Sequence, residues 1–285
     1  MPKQDIKSHK KTPSSGDSPK KKHIGINHPK QSLRQRGIFL LPNLFTTAAL
    51  FWGFYAIVMA MHGDYRWGAI AIFIAGIFDT LDGRVARLIN AQSAFGAEYD
   101  SLADMVSFGI GPALVVYNFA LSSFDHYGLG KLGWLSAFIF VACGGLRLAK
   151  FNVQVTPNAD NPKRYFYGLP IPMAAFCIAS SVWAGSIYQL SGLWVSLCYA
   201  VLVVLLAMLM VSPIRYRSFK DIDLNGKVKA FIILIIVIVF IIITLAPAYT
   251  LLVISFVYAC SGPVMALVRL RARAIIKKHT HDNPK

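Results

Sequence analysis

The sequence predicts an all-α, polytopic transmembrane helix bundle, and three observations predict it. Hydrophobic residues make up 55% of the 285 and charged residues only 15%, against about 25% charged in an ordinary soluble domain. The apolar residues gather into eight runs of about 20 residues, each long enough to cross a hydrocarbon core about 30 Å thick. Positive charge falls almost entirely on one side of these runs.

In order, the runs are Ile38–Met61, Trp67–Ile89, Phe95–Leu121, Leu132–Phe151, Leu169–Leu190, Leu193–Val211, Val228–Ala246 and Tyr249–Val268. Polar turns or Pro247 separate them, and no strand pattern or internal repeat competes. If the N-terminus is cytosolic, all of the 29 lysines and arginines except Arg66 and Lys131 lie on the cytosolic side. Such asymmetry sets orientation in membrane proteins. It places both termini in the cytosol of a multi-pass cell-membrane protein. The net charge of +16 could also suit nucleic acid, but the basic residues flank apolar runs, so membrane lipid is the expected partner and nucleic acid is not.

Residues 1–36 are rich in Lys, Ser, Pro and His and have little to bury, so they read as a disordered, basic cytosolic tail. Residues 37–213 form the expected membrane core. Residues 214–285 supply a cytosolic loop, two further spans and a basic C-terminal tail. The four cysteines, Cys143, Cys177, Cys198 and Cys260, sit singly within apolar runs and read as small buried hydrophobes.

Carboxylates inside such runs are costly and default to function. Asp79 and Asp82 lie near the cytosolic end of the second run, Asp100 and Asp104 near that of the third. On a helix, Asp79, Asp82, Gly83 and Ala86 fall within roughly 100° of arc, and Gly96, Asp100, Asp104 and Ser107 within roughly 80°. Glu98 falls on the far side. Two facing helices would therefore gather four carboxylates, and cations must offset them. Oxygen-only donors select Mg²⁺ or Mn²⁺, and two such ions suit phosphate chemistry. Gly83, Ala86 and Gly96 leave room on the same faces for a bulky group to approach.

These residues stand as Asp79-Thr-Leu-Asp82-Gly83-Arg84-Val-Ala86-Arg87, eight residues, then Gly96-Ala-Glu-Tyr-Asp100-Ser-Leu-Ala-Asp104. The pattern resembles the signature of the CDP-alcohol phosphotransferase family, with every fixed position filled at the right spacing. The resemblance implies a six-helix membrane core whose polar site opens to the cytosol, here with two added C-terminal spans. It implies that Asp79, Asp82 and Asp100 bind a pair of divalent metals. Asp104 would share the metal site and act as general base. Gly83, Ala86 and Gly96 would admit the CDP group of CDP-diacylglycerol, with Arg87 near its phosphates. Asn43 and Thr47, in Leu41-Pro-Asn-Leu-Phe-Thr-Thr47, resemble a pair on the family's first helix that faces the nucleotide. Pro42-Asn43 is also a common helix start.

Three more segments resemble the membrane-integral phosphatidylserine synthases within that family. They are Arg147-Leu-Ala-Lys-Phe-Asn-Val153, Tyr165-Phe-Tyr-Gly-Leu-Pro-Ile-Pro172 and Ser212-Pro-Ile-Arg-Tyr-Arg-Ser-Phe-Lys220, and Asp104-Met-Val-Ser-Phe-Gly-Ile-Gly-Pro112 matches as well. The acceptor expected from this resemblance is L-serine. Arg147 is the first candidate for its carboxylate, with Lys150 and Asn152 in support; Lys150 departs from the arginine more often expected there. Arg215 and Arg217 are candidates for the lipid phosphate. Choline as acceptor, an ion transporter, and assembly as a homodimer all stay open at this level.

Overall fold

The structure is a computed structural model that describes residues 33–89, 93–154, 165–217, 237–238 and 241–282. Its helices are α1 (Leu33–Met61), α2 (Tyr65–Leu88) and α3 (Ala94–Asp104), the last running through a π-helical turn (Met105–Ile110) into α4 (Gly111–Phe119). A 3₁₀ turn (Leu121–Tyr127) leads to α5 (Gly130–Gln154). There follow α6 (Ile171–Ile187), α7 (Leu193–Val211) and α8 (Pro247–Asp282). Of the tail expected over residues 1–36, all but the last four lie outside the described residues. So does most of the seventh apolar run.

Among the described residues, five helical stretches are long and apolar enough to cross a membrane: Leu41–Met61, Ala94–Phe119, Gly130–Val153, Leu193–Val211 and Pro247–Val268. The chain is an all-α, multi-pass membrane protein. α6 is apolar but has 17 residues. α2 has 24, and its last turns carry Asp79, Asp82, Arg84 and Arg87, which lower its apolar character where the site is built.

Packing is close because the facing residues are small. Ala49, Ala56 and Ala60 of α1 and Gly68, Ala69, Ala71 and Ala75 of α2 are buried. Helices in lipid associate through such van der Waals contact rather than through water expulsion. Phe176 of α6 lies over Gly76 of α2, where a Cβ would collide with its ring. It stacks on Phe73 at 4.9 Å and meets the edge of Phe108 at 6.0 Å.

Three local features depart from the sequence reading. Pro42 lies inside α1 rather than at its start. A proline removes one helical hydrogen bond, and membrane helices tolerate this where other groups satisfy the freed atoms. The third run is not uniformly α-helical. The Gly111 N–H bonds to the Val106 carbonyl, five residues back, and Pro112 follows with no N–H to give an α-type bond. Finally, β1 (Tyr165–Tyr167) pairs antiparallel with β2 (Arg215–Arg217), Tyr167 opposite Arg215 and Tyr165 opposite Arg217. Three-residue strands are too short to show a period.

Gly168, with φ of 81°, turns the chain out of β1, and a Cβ there would strike the Met210 carbonyl. Its N–H bonds to Ile214 O at 2.8 Å, and Leu169 N–H to Leu209 O at 3.0 Å. The approach to α6 is thereby tied to the end of α7. The cysteines form no disulfide. Cys177 is buried and Cys143 half-buried, but Cys198 and Cys260 are exposed. The expectation of four buried thiols is corrected for these two, because an apolar helix face can turn outward to lipid as readily as inward.

Candidate active site

α2 and α3 bring their carboxylates together at one end of the bundle. Asp79 and Asp82 are one turn apart on α2, as are Asp100 and Asp104 on α3, spacings that put each pair on one helix face. The Ser93 side chain caps α3 by accepting the Gly96 N–H at 2.9 Å. Carboxylate oxygens of Asp79, Asp82 and Asp100 lie within 4.8 Å of one another. The Asp104 and Asp79 side chains lie within hydrogen-bonding reach of each other. The charges that bear on Asp82 and Asp100 are those of the neighbouring aspartates. Glu98 is exposed on α3, away from the cluster.

α1 closes one side. Thr46, buried, donates its hydroxyl to Asp82 Oδ2 at 2.7 Å and also lies 3.2 Å from the Pro42 carbonyl. One hydroxyl has one proton, and the shorter contact to the carboxylate takes it. Asn43 Oδ1 faces Gly96, 3.4 Å from where a Cβ would stand. Thr47 is exposed; its hydroxyl bonds to Asn43 O at 2.7 Å and Tyr99 Oη at 2.9 Å. A Cβ on Gly83 would meet nothing within 4 Å. Gly83 and Arg87 are exposed and Ala86 is half-buried beside them. The α1 residue touching the carboxylates is thus Thr46, next to the Thr47 that the sequence singled out. Helical spacing could have suggested it, since Asn43 and Thr46 are also one turn apart.

Ser107, expected on the carboxylate face, is turned by the π-turn toward α1. Its hydroxyl donates to Ala49 O at 3.0 Å, against Gly53. On α5, Arg147 is largely buried, and the Asp104 carboxylate acts on its charge. Its Nε is buried and has no hydrogen-bond partner among the described residues. Lys150 and Asn152 are exposed. The Asn152 amide donates to Ser101 Oγ on α3 at 3.0 Å, so this side chain stitches α5 to α3. Arg215 and Arg217 are placed by the β1–β2 pairing alone; their side chains lie outside the described residues.

The arrangement is a cup of carboxylate oxygens with one hydroxyl donor and an arginine beside it. The family model for CDP-alcohol phosphatidyltransferases matches residues 39–202. The chain belongs to that family. The matched segment includes every helix that carries the cluster, α1 to α3, and Arg147 on α5. Among relatives, a CDP-diacylglycerol–serine O-phosphatidyltransferase of Helicobacter pylori (strain ATCC 700392 / 26695) is 37% identical over 199 residues, 70% of this chain and 80% of that protein. One of Mycobacterium tuberculosis (strain H37Rv) is 32% identical over 238 residues, 80% of this chain and 79% of its own. An archaetidylserine synthase of Methanothermobacter thermautotrophicus is 34% identical over 178 residues, 62% and 69% respectively.

The donor set of this CDP-alcohol phosphatidyltransferase fits a divalent metal. Three carboxylates whose oxygens approach within 4.8 Å repel one another unless a cation lies between them. All are hard oxygen donors of the kind Mg²⁺ and Mn²⁺ prefer.

Proposed function

We propose that this chain transfers the phosphatidyl group of CDP-diacylglycerol to L-serine, giving phosphatidylserine and CMP. The observation that carries it is the carboxylate cluster of Asp79, Asp82, Asp100 and Asp104 at one end of a family-matched bundle. The relatives named above, which act on serine or make archaetidylserine by name, support the choice of acceptor.

Asp79, Asp82 and Asp100 hold two divalent ions, Mg²⁺ or Mn²⁺, with Asp104 alongside. Bound there, the ions would neutralise the pyrophosphate and the charge that builds on the leaving CMP. Thr46 fixes the Asp82 carboxylate through its 2.7 Å hydrogen bond. The open backbone at Gly83, with Ala86, Gly96 and Arg87, admits the nucleotide and its phosphates, and Asn43 and Thr47 face it from α1. A serine hydroxyl is a weak nucleophile at neutral pH; Asp104 accepts its proton as the oxygen attacks the phosphorus that bears diacylglycerol. The new O–P bond forms as the bond to CMP breaks. Arg147 pairs with the serine carboxylate, Lys150 lends charge nearby, and Asn152 holds α5 against α3. Arg215 and Arg217 take the lipid phosphate. The acyl chains stay in the bilayer throughout.

The direct test is a purified-protein assay with CDP-diacylglycerol and a panel of alcohols. Serine-dependent release of CMP, abolished by EDTA and restored by Mg²⁺ or Mn²⁺, is the expected outcome. CMP release with choline but not serine would overturn the acceptor, and no CMP with any alcohol would overturn the reaction.

Orientation follows from charge, with both termini and the carboxylate cup in the cytosol of the cell membrane. Reporter fusions at Lys285 and in the Asp125–Lys131 turn are expected to read opposite sides of the membrane. Matching readings would rule out the eight-span arrangement.

A further inference from the structure

The family match ends at residue 202, so β2 and α8 lie beyond it. α8 is nonetheless packed into the bundle along α6, where the buried Ser180 Oγ and Ser255 Oγ lie 3.2 Å apart. Further along, α8 carries Gly262 followed by Pro263 inside the helix. A proline has no N–H, so the carbonyl four residues earlier loses its α-type bond. That carbonyl belongs to Ala259, and a group freed in this way in a membrane helix needs another donor. Tyr216 of β2 supplies it: its hydroxyl donates to Ala259 O at 3.0 Å. Gly262 makes the room, since a Cβ there would run into the Tyr216 ring. The ring is fully buried and stacks on Tyr258, with centroids 5.7 Å apart and 28° between planes.

Gly262 and Pro263 thus form a socket in α8, and Tyr216 is the side chain that fills it. Its strand neighbours show what the socket holds. Arg215 and Arg217 stand on either side of Tyr216 in a strand of three residues. That strand pairs with β1, Phe166 opposite Tyr216. The turn after β1 is bonded to Ile214 O and Leu209 O. Ile171, which opens α6 just beyond that turn, lies over Gly144 of α5, where a Cβ would crowd its side chain. The main chain of both arginines is therefore fixed by α8 on one side and, through β1, by the bundle that carries the carboxylates on the other. Fixing the backbone from which an arginine reaches lowers the cost of ordering its fork on a phosphate.

We propose that Tyr216, seated in the Gly262–Pro263 socket of α8, is a positioning residue that holds the Arg215–Arg217 strand where it binds the lipid-bearing phosphate of CDP-diacylglycerol. The inference rests on the reading that Arg215 and Arg217 take that phosphate. It gives the C-terminal helix, which lies outside the family match, a part in holding the lipid half of the donor substrate.

The test uses the purified full chain and compares wild type, Tyr216→Phe, Gly262→Ala, the Arg215→Ala/Arg217→Ala pair, and that pair combined with Gly262→Ala. The readouts are KM for CDP-diacylglycerol, KM for serine, and inhibition by CMP, which has the nucleotide but not the lipid-bearing phosphate. Thermal unfolding midpoints report the fold. Removing the two arginines should raise KM for CDP-diacylglycerol by about tenfold or more, the worth of a hydrogen bond to a charged group. Gly262→Ala fills the socket and should raise the same KM by about tenfold, while KM for serine and the CMP inhibition constant stay within about twofold. Tyr216→Phe keeps the ring and removes the donor to Ala259, so it should shift KM for CDP-diacylglycerol the same way and by less; it decides the matter if Gly262→Ala does not fold. Without the arginines, Gly262→Ala should add little, since coupled residues are non-additive. An unchanged KM for CDP-diacylglycerol in Tyr216→Phe and Gly262→Ala, with a rise in the arginine variant, would overturn this inference and leave the phosphate reading standing. Weaker CMP inhibition and a raised serine KM alongside it would overturn it as a general packing effect. No rise in the arginine variant would overturn the phosphate reading and this inference with it.

Discussion

Asp82→Asn is expected to lower turnover by more than about 100-fold, beyond the 10–100-fold that loss of an outer-shell partner of a metal costs. Asp82 is buried and has Thr46 bonded to one oxygen. The amide has the same shape but removes one negative charge from a cluster that must balance cations. The loss should therefore appear as weaker Mn²⁺ binding, measured by calorimetry or by electron paramagnetic resonance, together with the fall in rate. Asp104→Asn separates a different contribution. Its amide can still bond to Asp79, so CDP-diacylglycerol binding should persist. The kcat should fall by about 10² to 10⁴, the usual range for losing a general base. Near-normal turnover in Asp104→Asn would assign proton acceptance elsewhere, and normal Mn²⁺ affinity in Asp82→Asn would take that residue out of the metal site.

Arg147→Ala is expected to cost about 2–5 kcal/mol in serine kcat/KM, as does truncation of one partner of a buried charge pair. That is on the order of 30- to 5,000-fold. The guanidinium is largely buried beside Asp104, where a substrate carboxylate left unpaired would be poorly solvated. Affinity for CDP-diacylglycerol should change little. Ethanolamine, which has no carboxylate to lose, should be a poor substrate of the wild type and should suffer much less from the substitution. Arg147→Lys should recover part of the loss, because an ammonium is a point charge without the paired donors of the fork. Equal losses for both acceptors would move Arg147 to the phosphate or to packing.

Much of this site was legible in the sequence because helical spacing alone decides which residues share a face. Asp79 with Asp82, and Asp100 with Asp104, needed no tertiary information; of the eight spans expected, five helices among the described residues are long and apolar enough to cross a membrane. Facing of one helix toward another is different, since a helix's rotation about its axis depends on what packs behind it. The sequence therefore pointed to Thr47, whereas Thr46 reaches Asp82. Nor did it show that the Asn152 amide, a candidate for the acceptor, bonds to Ser101 on α3. The β1–β2 pair escaped because two three-residue strands carry no periodicity.

The π-turn between Asp104 and Gly111 has a consequence for how the two halves of the span face. A π-turn holds its bonds one residue wider than an α-turn, so it acts as an α-helix that has accepted one extra residue. Regular α winding over the same residues, Met105–Ile110, would rotate one half of the span relative to the other by roughly 100°. Either Asp100 and Asp104 would leave the face of α2, or Val115 and Val116, both fully buried, would turn out of the core. The wider turn thus lets one continuous span offer carboxylates to α2 at one end and close-packed valines to the core at the other.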